Sequence, residues 1–299
     1  MNKLRPLRTA LVANAISSTA CALFMILDPV LVGELLGIQA PVIIRLIGAG
    51  LVLFAIDLVH QASRPRMTTW RARYASVADF LWVLGTLLGV LAFPGTLSGS
   101  GLLIVLAVAG VVAIFGLWQL WAILAAHRVP GSKLLRHCVL VNVASSADAV
   151  WDVVSQLGEI ARYVPALASS EIIGGNHPQA GVIRRCVDLS GKSWSEECVE
   201  FDEPGRSFTL RFVSEAPDFP FPASRMLGGW QVMPAKNGGA DVMVWWELEP
   251  KPKWLAPILL PLLGFRVDRE FPDIIRRMAG DAGASAGTHP LARLVPRTC

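Results

Sequence analysis

The residues best placed for chemistry lie in the second half of the 299-residue chain. Arg184, Arg185, Glu196, Glu197, Glu200 and Arg211 fall on three alternating, strand-like stretches, 182–189, 193–201 and 207–213. Neighbours along a strand face opposite sides, so one of Arg184/Arg185 and one of Glu196/Glu197 points inward. A desolvated carboxyl against an aromatic wall keeps its proton to higher pH and can serve as an acid or base. The preferred expectation is plainer: a cross-strand Arg–Glu pair that helps to register the hairpin. Histidine offers less. His137 opens a strand, His177 stands in a loop beside Pro178, and His289 lies in a Gly/Ala-rich stretch. None is recognisably spaced with a Cys or a carboxylate. No HExxH, HxxxH or phosphate-loop pattern occurs, so neither a metal nor a cofactor is expected.

Aromatic residues surround these charges. Trp151, Tyr163, Trp194, Trp230 and Trp246 are candidates to line an apolar cavity, with Arg184, Glu196 and Arg211 as its polar groups. Phe208 and Phe212, four apart on one strand, share a face. Arg211 then points the other way, so either it or that Phe pair lines the cavity.

These residues need a scaffold. Residues 136–143 alternate like a strand. Ser145 or Ser146 caps a following helix whose Val150, Trp151, Val154 and Leu157 recur at helical spacing. A short helix follows at about 158–163, then strands at 169–173, 182–189, 193–201, 207–213, 227–234 and 240–248. "LSGKS" and "AKNGGA" read as hairpin turns. The last element is a helix over 253–279, with Pro257 and Pro261 disturbing its start and Pro272 a kink. Its stretch "WLAPILLPLLGF" reads either as the buried face of that helix, which is preferred, or as a membrane-touching gate.

The first half differs in kind. Residues 1–127 hold 8 Lys+Arg and 4 Asp+Glu, against 19 and 19 in residues 128–299. The neutral balance of the second half argues against a nucleic-acid partner. Four stretches, 9–27, 42–59, 75–93 and 102–126, are long and apolar enough to cross a membrane. Basic residues cluster before the first span, between the second and third, and after the fourth, while loops 28–41 and 94–101 hold none. Positive loops stay inside, so both termini and the second half are expected in the cytoplasm, beneath the cell (inner) membrane. Trp70, Trp118 and Trp121 sit near the same inner boundary. Asn14, Asp57 and Asp79 lie within the spans. They are either a polar or proton-binding site or, as preferred, hydrated near the headgroups and paired with Arg71 or Arg73. Arg45 is expected to snorkel towards Asp28 or Glu34, and Gly48 and Gly50 to allow close helix contact. The five cysteines form no CxxC-type motif and are expected reduced.

Residues 134–280 resemble the START-like, or SRPBCC, superfamily in its polyketide cyclase/dehydrase branch. The resemblance rests on "VNVASSADAVWDVVSQLGEIARYVP", "GVIRRCVDLSGKSWSEECVEFDEPGRSFTLRF", "GGWQVMPAKNGGADVMVWWELEPKP" and the later "FRVDREFPDIIRRM". It implies a helix-grip fold, in which a curved antiparallel sheet wraps a long C-terminal helix around an apolar cavity. Residues 10–126 are similar to small four-span bacterial membrane proteins of unknown function. The expected layout is a four-helix transmembrane region (1–128), a short linker (129–135), an α+β helix-grip domain (136–280) and a disordered tail (281–299). The expected function is binding of a hydrophobic or amphipathic small molecule or lipid at the bilayer surface. The alternatives are a cyclase- or dehydratase-like enzyme and the ligand sensor of a four-span transporter.

Overall fold

The computed structural model describes residues 3–282 apart from 65, 66, 68, 176 and 237, and the side chain of residue 70. The expectations for the tail beyond 282, including His289 and Cys299, lie outside the described residues. The chain divides after Ala126 into two compact units.

The first unit is helical: α1 (Arg5–Leu27), α2 (Pro29–Leu36), α3 (Pro41–Ser63), α4 (Thr69–Ala92) and α5 (Gly99–His127). Four of these, all but the short α2, are long and apolar enough to cross a membrane, with mean hydropathies of 1.9, 2.4, 1.8 and 2.6. Their outward faces expose Phe24, Leu27, Leu53, Leu91 and Leu103. The interior is built largely from small residues, Ala15, Ala55, Ala62, Ala72, Ala75 and Ala122, around Leu7, Leu11 and Leu58. Gly48 admits α1 closely, since a Cβ there would stand 2.9 Å from Ile26 Cγ1 and Met25 Cβ; Gly50 faces open space. The extra helix α2 starts where the Asp28 side chain accepts the Leu31 N–H at 3.0 Å, so Asp28 is a helix cap.

Two of the polar residues within the long helices, Asn14 and Asp79, pair with each other. Asp79 is 3% exposed and accepts Asn14 Nδ2 at 2.9 Å and Gln119 Nε2 at 3.0 Å. Ser18 and Ser76 extend the network to the two amides. Interior amides on α1 and α5, rather than Arg71 or Arg73, donate to this carboxylate. Asp57 stands apart, accepting Gln61 Nε2 at 2.6 Å and the Tyr74 hydroxyl.

The second unit runs β1 (Leu135–Val143), α6 (Ala147–Val154), a 3₁₀ turn (Leu157–Arg162), β2 (Leu167–Ile173), β3 (Ile183–Asp188), β4 (Ser193–Asp202), β5 (Ser207–Phe212), β6 (Ala223–Pro234), β7 (Ala240–Pro250), a second 3₁₀ turn (Lys253–Leu255) and α7 (Ala256–Asp281). One seven-stranded sheet results, ordered β1-β7-β6-β5-β4-β3-β2, with every pair antiparallel. The long helix lies on its inner face and buries Val267, Ile274, Ile275 and Met278 against Val139, Val141, Val242 and Val244. This is the helix-grip arrangement. Strand β6 begins at Ala223, four residues before the expected start, because the pairing with β7 extends to Pro250. The two candidate caps divide their tasks. Ser146 accepts the Ala149 N–H at 3.3 Å, and Ser145 donates to Ala279 O at 2.9 Å, tying α7 to the start of α6. The same end of α7 is fastened again where Tyr163 OH donates to Asp281 at 2.8 Å and Arg277 donates to Tyr163 O at 2.7 Å. Cys21, Cys186 and Cys198 are free thiols.

Candidate functional site

Alternation and register decide which charges face inward. On β3, Arg184 and Cys186 are buried while Ile183 and Arg185 are exposed. On β4, Trp194, Glu196 and Cys198 share the inner face, and on β5 Phe208, Leu210 and Phe212 do. Arg184 stands directly opposite Glu196, which stands opposite Phe212. Arg211 falls on the outer face. It donates to Glu197 at 2.7 and 3.0 Å and to Glu215 at 3.2 Å, in a half-exposed cluster. Of the two alternatives for β5, the Phe pair therefore faces inward and Arg211 does not.

The inward pair is sealed, with Arg184 6% and Glu196 3% exposed. Arg184 donates Nε–H to Glu196 Oε2 at 2.9 Å, a second N–H to the same oxygen, and Nη1–H to Leu157 O at 3.2 Å. The other oxygen, Oε1, accepts Trp194 Nε1–H at 2.6 Å. Burial alone would weaken the charge on Arg184, but the facing Glu196 carboxylate outweighs it and holds the guanidinium above its usual range. Burial, reinforced by the Glu196 charge, pushes the Cys186 thiol up to about 12, which removes it as a nucleophile at neutral pH. Burial raises Cys198 as well. Both oxygens of Glu196 are thus engaged within the protein, Oε2 by Arg184 and Oε1 by Trp194.

Aromatic rings extend from this set in two groups. Trp194 meets Phe221 edge-on at 5.2 Å, and Phe221 meets Phe212 at 6.1 Å and Phe219 at 5.4 Å. Across the sheet, Trp246 meets Phe271 of α7 at 4.6 Å, and Phe271 lies 6.1 Å from Trp230. Trp194, Trp246 and Leu263 pack against both the main core and a smaller one formed by Phe212, Ala223, Met226 and Leu248. They point inward yet are only half buried, as are Phe219, Phe221 and Phe271. Inner-face aromatics with accessible surface, beside one polar set, are the ordinary makings of a site for an apolar ligand. The other two aromatic candidates stand elsewhere. Trp151 packs on Phe201 and Phe208 and donates to Glu203 at 3.0 Å, and Tyr163 anchors the end of α7.

Sequence reasoning missed a second polar group. His137 Nε2 lies 2.8 Å from Asp268 Oδ1, joining β1 to α7, with the His127 ring stacked at 5.8 Å. Gly264 leaves room for the imidazole; a Cβ there would approach His137 Cε1 to 3.1 Å. His137 shares the inner face with Val139 and Val141 and stands opposite Trp246. The signal was present: residue parity on β1 turns His137 inward, and spacing along α7 places Asp268 between Gly264 and Phe271. Among the described residues, no group of three His, Cys, Asp or Glu side chains is placed to hold a metal ion.

Residues 139–282 match the family model described as "Polyketide cyclase / dehydrase and lipid transport". No curated protein matches the chain. Solved structures similar to it include norcoclaurine synthase from Thalictrum flavum in complex with dopamine and hydroxybenzaldehyde (19% identity, 53% of this chain and 95% of that one, TM-score 0.41). Others are the Zhui aromatase/cyclase from Streptomyces sp. R1128 (20%, 50% and 92%, TM-score 0.38) and the protein XoxI from Bacillus cereus (16%, 48% and 93%, TM-score 0.40). The residues matched by the polyketide cyclase/dehydrase and lipid transport model run from within β1 to the end of α7.

Proposed function

We propose that the chain is a multi-pass membrane protein whose helix-grip domain, on the cytoplasmic face of the cell membrane, binds an apolar or amphipathic small molecule or lipid. The observation that carries this reading is the set of inward, half-buried aromatics, Trp194, Phe221, Trp246 and Phe271, beside the closed Arg184–Glu196–Trp194 hydrogen-bond system. Rings supply the apolar contact, and the sealed Arg184–Glu196 pair holds one of them, Trp194, in place through its indole N–H. Only seven residues separate α5 from β1, so the domain is tethered to helices that an apolar ligand's own solvent surrounds. Tethering raises the effective concentration of such a ligand. Basic loops on one side of the four helices support the cytoplasmic assignment. The test is co-purification. Full-length protein in nanodiscs is extracted with organic solvent and compared with Trp194→Ala and Trp246→Ala variants. A defined molecule retained by the native chain and depleted in both variants supports the reading; identical extracts contradict it.

A second reading, catalysis, is favoured by one observation, the His137–Asp268 pair, in which a carboxylate orients an imidazole as acid–base enzymes require. Glu196→Gln and His137→Gln separate the two. A binder keeps most of its ligand, whereas an enzyme loses turnover while still binding.

A further inference from the structure

The face of α7 turned away from the sheet changes character along its length. In the last turns it carries Arg269, Glu270, Asp273, Arg276 and Arg277, the charges expected where a helix meets water. In the first turns it carries Ile258, Leu262 and Phe265, which are 46%, 62% and 48% exposed, with Trp254 just before them at 71%. The spacings of four, four and three put these residues on one side. The core does not need them, because Ala256, Leu260, Gly264 and Val267 already bury the opposite side. Basic residues border the apolar stripe: Lys251 and Lys253 before it, Arg266 and Arg269 after it. Lys253 pairs with Glu249 at 3.2 Å and Arg266 with Glu270 at 3.1 Å, both on the surface; Lys251 and Arg269 have no ion-pair partner among the described residues.

We propose that Trp254, Ile258 and Leu262 form a docking face that inserts into the headgroup region of an anionic bilayer. An apolar helix face led by a tryptophan and flanked by cations has the composition of an interfacial helix, with anionic headgroups taking the basic border. The proposal rests on the reading that the four long helices span the same bilayer, and it says which surface of the domain meets the lipid. Leu263 and Phe271, which pack against the inner core, lie on the same helix as this face, so docking would bring the ligand-binding rings towards the lipid from which a ligand must come.

The full chain is placed in nanodiscs of phosphatidylcholine and phosphatidylglycerol, with and without bromine on the acyl chains. Emission from Trp254 is read as the difference between the native protein and Trp254→Phe, an exposed position whose change leaves the core intact. Loss of that difference emission in brominated lipid, relieved by Leu262→Asp, supports docking. The proposal is overturned if the difference emission is unquenched while emission from the α4 and α5 tryptophans Trp82, Trp118 and Trp121 is quenched. Quenching of neither set overturns the membrane reading and the proposal with it.

Discussion

Asp79 among the helices and Glu196 under the sheet are each 3% exposed, yet they are satisfied in opposite ways. Asp79 receives neutral amide donors from two other helices, Asn14 and Gln119. Glu196 receives a guanidinium from the neighbouring strand and an indole from its own. The helical unit thus spends dipoles on its buried acid, and the domain spends a full opposite charge. A charge paired within a sheet is locked in place, because loss of either partner strands the other without water. An acid held by amides loses one donor at a time, so its site should be the more tolerant of the two.

The predictions test that contrast. Glu196→Leu should have the largest effect, because it leaves Arg184 buried and unpaired; a loss of about 3–5 kcal/mol is expected from thermal or denaturant unfolding. The double change Arg184→Met with Glu196→Leu should recover most of that loss. If the double variant is as unstable as the single one, the cost is packing and not charge. Asn14→Leu should cost about 1–3 kcal/mol, the penalty for one missing donor, measured on the full chain in detergent. A cost as large as that of Glu196→Leu would erase the distinction between the two regions.

Alkali provides a milder test within the domain. Burial, then the Asp281 hydrogen bond and charge, raise Tyr163 above its ordinary value. A folded-state value above the unfolded one means that the bond contributes fully below pH about 10 and is lost as pH rises through the folded value. Tyr163→Phe should therefore flatten the fall in stability above that pH, as read from unfolding curves across the alkaline range. The smallest effect belongs to Arg211→Ala. Its pairs with Glu197 and Glu215 are half exposed, so a change below about 1 kcal/mol is expected. A loss comparable with that at Arg184 would mean that burial is not what separates the two arginines.

Much of the domain was legible because strand parity is a strong signal. Alternation placed the seven strands, and it paired an arginine with a glutamate across β3 and β4. It left open which member of each doublet faced the core, because register alone does not reveal which side of a sheet the helix covers. The same ambiguity put Arg211 among the cavity candidates when its parity matches that of Glu197. Phe219 and Phe221 escaped notice because the stretch between β5 and β6 has no period to read. The helical unit was legible in its spans and opaque in its interior. A span apolar on every side carries no stripe to show which way Asp79 turns, and its partners lie 65 and 40 residues away. The stretch 254–265 was expected chiefly as a buried face. It is apolar on both sides, and burial of one side by the core left the other outside.

The central claim is that an apolar ligand reaches the inner aromatic face of the domain. The most direct test is photo-crosslinking with a diazirine-bearing phospholipid in membranes containing the full chain, mapped by peptide mass spectrometry. The account predicts adducts on β4, β7 and the middle of α7, around Trp194, Trp246 and Phe271, in addition to those on the four long helices. Adducts confined to α1, α3, α4 and α5, with none under the sheet, would contradict it.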